Sequence, residues 1–229
     1  MDNVNFLTFD TSTNVLKIAL FINKKEYSKE IKKGFNHIET LIPTIQNCIK
    51  EINEKKTKIN FIGVCTGPGS FTGIRIGIAA ALGISYALNI KCFGFNVFEV
   101  YKFLFREEKN SIVIPVVDAK KNKFFCSFIE SNNIIKMFDY TLEDIKNKIR
   151  SYENESKKII FVGDDFDLIK NSILKEFQIF KSISEDYKSK DLLNFSKWIL
   201  KSNKNLNEPK PIYIRKSEAE LSLLKGKKS

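Results

Sequence analysis

The strongest chemical signal in the chain is a glycine-rich turn followed by a long apolar helix. The turn contains Gly67, Pro68 and Gly69, and it follows a run rich in β-branched and aromatic residues. Glycine permits the backbone conformations and close approaches that such a turn needs. Ser70 or Thr72 can cap the helix behind it. Exposed backbone N–H groups at a helix start suit an anion, so the turn is a candidate phosphate contact.

This turn lacks the residues of two common nucleotide motifs. Residues 67–73 do not end in Gly-Lys-Ser/Thr, so they form no Walker A loop, and the third glycine of the dinucleotide fingerprint is missing. An ordinary strand-to-helix turn is therefore the alternative interpretation.

A second polar turn begins where an apolar run ends at Asp10, and Asp118 ends a similar run in the second half. Actin-like and sugar-kinase-like ATPases approach a phosphate with the hydroxyls and N–H groups of such turns. Ordinary turn chemistry is the alternative, because Asp and Ser side chains bond their own backbone. The residues predicted to outline a vestigial nucleotide cleft are Asp10, Thr11, Ser12, Gly67, Gly69 and Asp118.

Two features argue against catalytic use of that cleft. The glycine pair expected to carry an adenosine is not evident, and the matching turn of the second half, Gly163-Asp164-Asp165, would repel a phosphate. A Ser-His-Asp hydrolase is also disfavoured, because His37 is the single histidine and no serine lies in a Gly-x-Ser-x-Gly turn.

The elements that position these turns repeat along the chain. Both halves run strand, Asp, turn, strand, strand, helix, strand, turn and helix, and a short polar link at 106–111 separates them. This order predicts a duplicated α/β fold with two mixed-sheet halves, at residues 1–107 and 108–229. The second half ends in a basic tail at Lys225–Lys228.

Composition narrows the class of protein further. The net charge of +11 permits an RNA partner, but 34 of the 38 basic residues are lysines spread along the chain. The four cysteines show neither metal-ligand nor disulfide spacing. No secretion signal is evident at the N-terminus, and we expect no apolar run of the roughly 18 residues that a membrane span requires. These patterns predict a cytoplasmic protein without a membrane segment.

Two helices are apolar beyond a single face, around residues 36–53 and 72–88. Such helices can pack on their own sheet with one side and on a partner with the other. The alternative is that this chain covers both sides itself. The predicted partner-interface residues are Ile38, Leu41, Ile45, Gly73, Ile74, Gly77, Ile78 and Ala81.

Several stretches together resemble the TsaB (YeaZ) family over nearly the whole chain. The most specific is Gly-Pro-Gly-Ser-Phe-Thr-Gly-Ile-Arg-Ile-Gly at 67–77. Weaker matches are Phe-Asp-Thr-Ser-Thr at 9–13, His-Ile-Glu at 37–39, Val-Asp-Ala-Lys at 117–120 and Pro-Ile-Tyr-Ile-Arg at 211–215.

The resemblance implies an actin-like (ASKHA), RNase H-like fold and a role in making threonylcarbamoyladenosine (t6A) in tRNA. It also implies a non-catalytic subunit that activates a catalytic paralogue, TsaD, together with a P-loop protein, TsaE, and that reaches tRNA through this complex. The isolated chain would form a homodimer. It would hold no cofactor, with ATP or ADP present only at the level of the complex.

The same resemblance bears on metal binding. The paralogue holds its metal through two histidines spaced His-x-x-x-His after its own Gly-Pro-Gly helix, and Val97 and Tyr101 stand at the matching positions here. Neither is an imidazole ligand, so we predict neither metal nor enzyme activity. The alternative function is a free-standing actin-like ATP-dependent small-molecule kinase that uses Asp10 and Asp118 around magnesium.

Overall fold

The computed structural model describes residues 4–32, 37–52, 58–130, 133–202 and 206–214. The first half contains β1 (Phe6–Asp10), β2 (Val15–Ile22), β3 (Lys25–Lys32), α1 (His37–Ile52), β4 (Phe61–Cys65), α2 (Phe71–Leu88), β5 (Lys91–Phe95) and α3 (Val97–Leu104). The second half contains β6 (Ser111–Asp118), β7 (Lys123–Glu130), β8 (Asn133–Thr141), α4 (Leu142–Arg150), β9 (Lys158–Val162), a 3-10 turn (Asp164–Leu168), α5 (Lys170–Leu174), β10 (Lys181–Ile183) and α6 (Ser189–Lys201).

The two sheets have the same topology. Their strand orders are β3-β2-β1-β4-β5 and β8-β7-β6-β9-β10. In each sheet the first three strands of the half are antiparallel, and the first, fourth and fifth are parallel. Asp10 and Asp118 therefore end equivalent strands, which confirms the predicted duplication and the α/β fold class.

Side-chain alternation along the strands divides the molecule into layers. On β1, Leu7 and Phe9 pack in a cluster with residues of α1 and α2, whereas Phe6 joins a cluster formed by α3 and α6. On β6, Ile112 and Ile114 pack with α4 and α5. Because successive side chains of a strand point to opposite faces, the layers run α1/α2, first sheet, α3/α6, second sheet, α4/α5.

Helix α2 begins and ends at residues suited to those positions. The Ser70 side chain accepts a hydrogen bond from the N–H of Gly73, and Asn89 ends the helix in the left-handed conformation with φ 50°. Gly73 lies against the turn after β1, where a Cβ atom would be 2.0 Å from the carbonyl oxygen of Thr11. Glycine is required at this position because any side chain would collide with that turn.

The structure differs from the sequence prediction in two respects. The helix expected after Gly163 is a 3-10 turn followed by the five-residue α5, because three aspartates in its first turn leave little apolar surface to pack. The sequence analysis did not identify β5, α3, β10 or α6. The basic tail and the side chain of Ile38 lie outside the described residues, and the boundary between 107 and 108 stays a prediction.

Candidate functional site

The turn after β1 is buried and bonded within the chain. Asp10 Oδ1 accepts a hydrogen bond of 2.7 Å from the Ser12 N–H, and the Thr11 hydroxyl donates one of 2.7 Å to the Gly73 carbonyl. The Ser12 carbonyl in turn accepts 2.7 Å from the N–H of Ser70, next to the start of α2. These contacts fasten the two predicted phosphate turns to each other.

The equivalent turn of the second half repeats one of these bonds. Asp118 Oδ1 accepts a hydrogen bond of 2.7 Å from the Lys120 N–H, as Asp10 Oδ1 does from the Ser12 N–H. The N–H of Asp118 donates 2.7 Å to Asp165 Oδ2. Burial raises the pKa of Asp165 despite that bond, and the carboxylates of Asp164 and Asp118 raise it further. A cluster of carboxylates therefore forms the second-half side of the site.

A cleft of about 750 Å³ lies between the turns of the two halves. Of the six residues predicted to outline it, Ser12, Gly69 and Asp118 line it together, joined by Asp164 and Asp165. Asp10, Thr11 and Gly67 do not line it, and Asp10 and Thr11 are fully buried. These three residues instead make packing contacts and hydrogen bonds within the chain, and nucleotide binding in the cleft stays a prediction.

A buried polar cluster lies beside the cleft, and we call it the lysine cluster: Asp10, Lys17, Tyr101, Asp186 and Tyr187. Lys17 lies directly opposite Asp10 on the neighbouring strand, and its Nζ is 3.6 Å from Asp10 Oδ2 and 2.6 Å from Asp186 Oδ2. Tyr187 donates its hydroxyl to Asp10 at 2.5 Å, and Tyr101 donates its hydroxyl to Asp186 at 2.8 Å. The two carboxylates of the cluster thus share one ammonium group, and each accepts a hydrogen bond from one phenol.

The charges of the lysine cluster shift one another's proton affinity. Burial alone would raise the pKa of Asp10, but the Lys17 ammonium and hydrogen bonds from Ser12 and Tyr187 hold that pKa below its usual value. Burial lowers the pKa of Lys17, yet the carboxylates of Asp186 and Asp10 more than reverse this, and the net shift is upward. Lys17 therefore stays charged, and its charge balances Asp10.

The arrangement around Asp10 does not fit a magnesium ion. A divalent ion needs several free carboxylate, carbonyl or water oxygens, whereas the oxygens of Asp10 already accept from Ser12 and Tyr187 beside the Lys17 ammonium. In the described part of the chain, no group of three or more His, Cys, Asp or Glu side chains is placed to hold a metal. Val97 is a core residue, and Tyr101 belongs to the lysine cluster.

Helix α2 separates into a buried and an exposed face. All five of its predicted interface residues are buried against the first sheet, and they are Gly73, Ile74, Gly77, Ile78 and Ala81. A Cβ atom on Gly77 would lie 2.3 Å from the Thr11 hydroxyl oxygen. The small residues thus allow close approach of the chain's own turn, which corrects the expectation that they are accessible to a partner.

The opposite face of α2 is exposed and largely apolar. We call it the α2 stripe, and it consists of Phe71, Arg75, Ala79, Leu82 and Tyr86, spaced by three and four residues. Tyr86 is 91% exposed and Leu82 46%. On α1, Leu41 and Ile45 are buried whereas Ile42 is 39% exposed. If a partner binds this side of the molecule, it meets these residues.

Helix α2 also meets the length and composition of a membrane span, which corrects the expectation that no apolar run reaches that length. About a quarter of its 18 residues, 28%, are buried in the chain. A single helix of this kind is weak evidence for a membrane span, and one face of α2 packs on the sheet through Gly73 and Ile74.

The sequence contained one signal for the lysine cluster that the motif search missed. Lys17 interrupts an apolar strand, between Leu16 and Ile18. A lysine is rarely fully buried without a partner, so its position predicts a buried counter-charge. Its partner Asp186 lies 169 residues further along, and local patterns do not report such a distance.

A family model described as TsaD, tRNA N6-adenosine threonylcarbamoyltransferase, matches residues 31–223. The chain belongs to this family. The tRNA threonylcarbamoyladenosine biosynthesis protein TsaB of Buchnera aphidicola subsp. Acyrthosiphon pisum (strain APS) is 26% identical over 216 residues, with 91% of this chain and 93% of that protein covered. The tRNA N6-adenosine threonylcarbamoyltransferase of Legionella pneumophila (strain Corby) is 25% identical, but over 48% of this chain and 33% of that protein.

Within the TsaD family, the chain therefore matches nearly the full length of a TsaB protein, but only a third of the length of a transferase. A solved structure described as YeaZ from Pseudomonas aeruginosa has a TM-score of 0.73 at 18% identity, with 92% of this chain and 99% of that chain covered. These similarities confirm the resemblance to TsaB (YeaZ) proteins, and the chain shares the fold of the YeaZ structure.

Proposed function

We propose that this TsaD-family chain acts in t6A biosynthesis as a non-catalytic subunit that docks on a catalytic TsaD paralogue and activates it. The observation that carries the proposal is the α2 stripe, an exposed apolar face on a helix whose other face is core. Large exposed apolar side chains on one helix face are typical of a protein interface. The match to TsaB-named relatives supports the pathway.

The other partners follow from the same proposal. The docked pair would present a joint face to a TsaE-like P-loop ATPase and to tRNA, and ATP or ADP would bind at the level of that complex. Without the paralogue, two copies of this chain would pair through the α2 stripe as a homodimer. The complex would act in the cytoplasm, where tRNA is modified.

The lysine cluster supports a non-catalytic role over the alternative of an actin-like small-molecule kinase. That kinase would need Asp10 for magnesium, and Asp10 is buried against Lys17 and Tyr187. We expect the purified chain to show no ATP turnover above buffer. Turnover that is lost in Asp10→Asn, in a variant that remains folded, would favour the kinase.

A matched pair of variants tests the docking surface. Leu82→Asp places a charge on the α2 stripe, whereas Leu168→Asp places the same charge at another exposed leucine in the second half. We expect Leu82→Asp to weaken binding to the paralogue by about 100-fold or more, as for a central interface residue, and Leu168→Asp to leave it unchanged. Titration calorimetry measures both, with circular dichroism as the check on folding.

The functional test is a reconstitution of t6A formation. tRNA, ATP, threonine and bicarbonate are combined with the adenylate-forming enzyme, the paralogue and the P-loop protein, with and without this chain. Modified nucleoside detected by mass spectrometry only when the chain is present, and lost with Leu82→Asp, is the expected result. Equal product without the chain would contradict the proposal.

A further inference from the structure

Residues 206–214 cross the surface of the first half, and we call them the strap. Two backbone hydrogen bonds attach it to the first sheet and the turn that follows. The Gly94 N–H donates to the Asn207 carbonyl at 2.8 Å, and the Ile212 N–H donates to the Thr66 carbonyl at 2.9 Å. Pro209 is buried, and the partly buried Leu206 and Ile214 pack against the core near the two ends of the strap.

A glycine on the edge strand of the first sheet makes room for the strap. A Cβ atom on Gly94 would lie 2.8 Å from the Cα atom of Pro209 and 2.7 Å from the Thr66 methyl group. Glycine at the edge strand β5 therefore allows the strap backbone to approach closely. The strap therefore packs specifically against β5 at this position.

Tyr213 holds the far end of the strap together with the packing of Ile214 on the core. Its ring lies 5.2 Å from that of Phe71, and its hydroxyl accepts a hydrogen bond of 2.8 Å from Arg75 Nε. The Arg75 guanidinium lies 3.8 Å from the centre of the Phe71 ring. All three groups are partly solvent-exposed, which keeps the contact weak enough to open.

Residues of the strap line two cavities. One has a volume of about 540 Å³, and the other is the cleft of about 750 Å³. Ile212 lines both, and Tyr213 and Ile214 line the cleft. Movement of the strap would therefore change the lining of both spaces.

We propose that the strap gates the cleft between the two halves and that Tyr213 is its latch on Phe71 and Arg75. Because Phe71 and Arg75 also begin the α2 stripe, the gate and the exposed helix face share residues. The inference does not depend on the proposed docking, since every measurement below uses the chain alone.

Amide hydrogen exchange tests the latch. The Gly94 and Ile212 amides bond across the strap contact, so their exchange reports its opening. We expect Tyr213→Ala and Phe71→Ala each to speed this exchange about tenfold relative to the amides of β1, as the loss of an aromatic contact implies. Leu82→Ala, on the same stripe but away from the strap, should have no effect. Equal acceleration of strap and β1 amides would overturn the latch.

Thiol labelling tests the gate. Ala119 lines the cleft and is 8% exposed, so Ala119→Cys, in a Cys92→Ser background, places a reactive group inside it. We expect a bulky maleimide to label the introduced thiol several-fold faster when Tyr213→Ala is added, with Tyr213→Phe intermediate. Faster strap exchange with an unchanged labelling rate would overturn gating.

Discussion

The ammonium of Lys17 lies 2.6 Å from the Asp186 carboxylate and joins a strand of the first sheet to the segment after the last strand of the second sheet. The same ammonium faces Asp10, the residue that the sequence offers as a magnesium or phosphate contact. A lysine thus occupies the space beside Asp10 where a kinase would hold a metal ion.

Removing the Lys17 charge should destabilise the protein strongly. Lys17→Met leaves the fully buried Asp10 and the partly buried Asp186 without a counter-ion, and breaking a buried pair in this way costs about 3–5 kcal/mol. Urea unfolding followed by circular dichroism measures the loss. Lys123→Met is the control, because Lys123 pairs with Asp139 at a side chain that is 42% exposed, where a pair contributes less than about 1 kcal/mol. Equal unfolding midpoints for the two variants would contradict the assignment.

Two glycines of α2 should respond in opposite directions to alanine. At Gly73 a Cβ atom meets the Thr11 carbonyl oxygen at 2.0 Å, whereas at Gly83 it meets nothing within 4 Å. Gly73→Ala should destabilise the fold by about 1–3 kcal/mol through this overlap. Gly83→Ala should stabilise it by up to about 1 kcal/mol, because alanine is the better helix former. Thermal unfolding distinguishes them, and a stable Gly73→Ala would show that the turn can move.

Magnesium should leave the thermal stability of the isolated chain unchanged. A ligand that binds the folded state raises its unfolding temperature, but Asp10 has its oxygens engaged by Ser12 and Tyr187. The measurement is the unfolding temperature with and without millimolar magnesium chloride. A rise of several degrees that disappears in Asp10→Asn would mean that the ion displaces Lys17.

Stability should fall in acid partly through Glu26. This carboxylate bonds Lys190 and Lys197 of α6, and these two hydrogen bonds lower its pKa to about 2. A lowered folded-state pKa contributes stability above the usual glutamate value of about 4.5, and this contribution is lost as pH falls toward 2. The effect should stay below about 1 kcal/mol because the side chain is 34% exposed. Glu26→Gln should reduce the change of the unfolding temperature between pH 5 and pH 3. High salt should reduce the same change in the parent chain.

The duplicated fold was predictable because the same local signals occur twice. Each half begins with an apolar strand that ends in an aspartate, Asp10 or Asp118, followed by turn residues, and these are properties of short stretches. The contents of the cleft were less predictable. Whether a buried aspartate faces a ligand or a lysine depends on residues such as Asp186, which only the folded chain brings near.

Helix α2 shows the same limit for surfaces. Its glycines predict the close approach of another backbone segment, but they do not distinguish a segment of the same chain from one of a partner. The structure shows that the turn after β1 makes this approach at Gly73 and Gly77, so the exposed side of the helix is the α2 stripe. Residues that favour close packing are equally suited to an internal and an external contact.

Helix α6 has a consequence for synthesis of the protein. It is formed by residues 189–201, yet it packs on β1, β2 and β3, and Ser196 lies 2.8 Å from Thr8 of the first strand. During synthesis, the strands of the first sheet therefore leave the ribosome well before α6, and the face on which α6 packs stays uncovered until residues 189–201 emerge. Nascent chains that stall before residue 189 should be bound by chaperones more than completed ones.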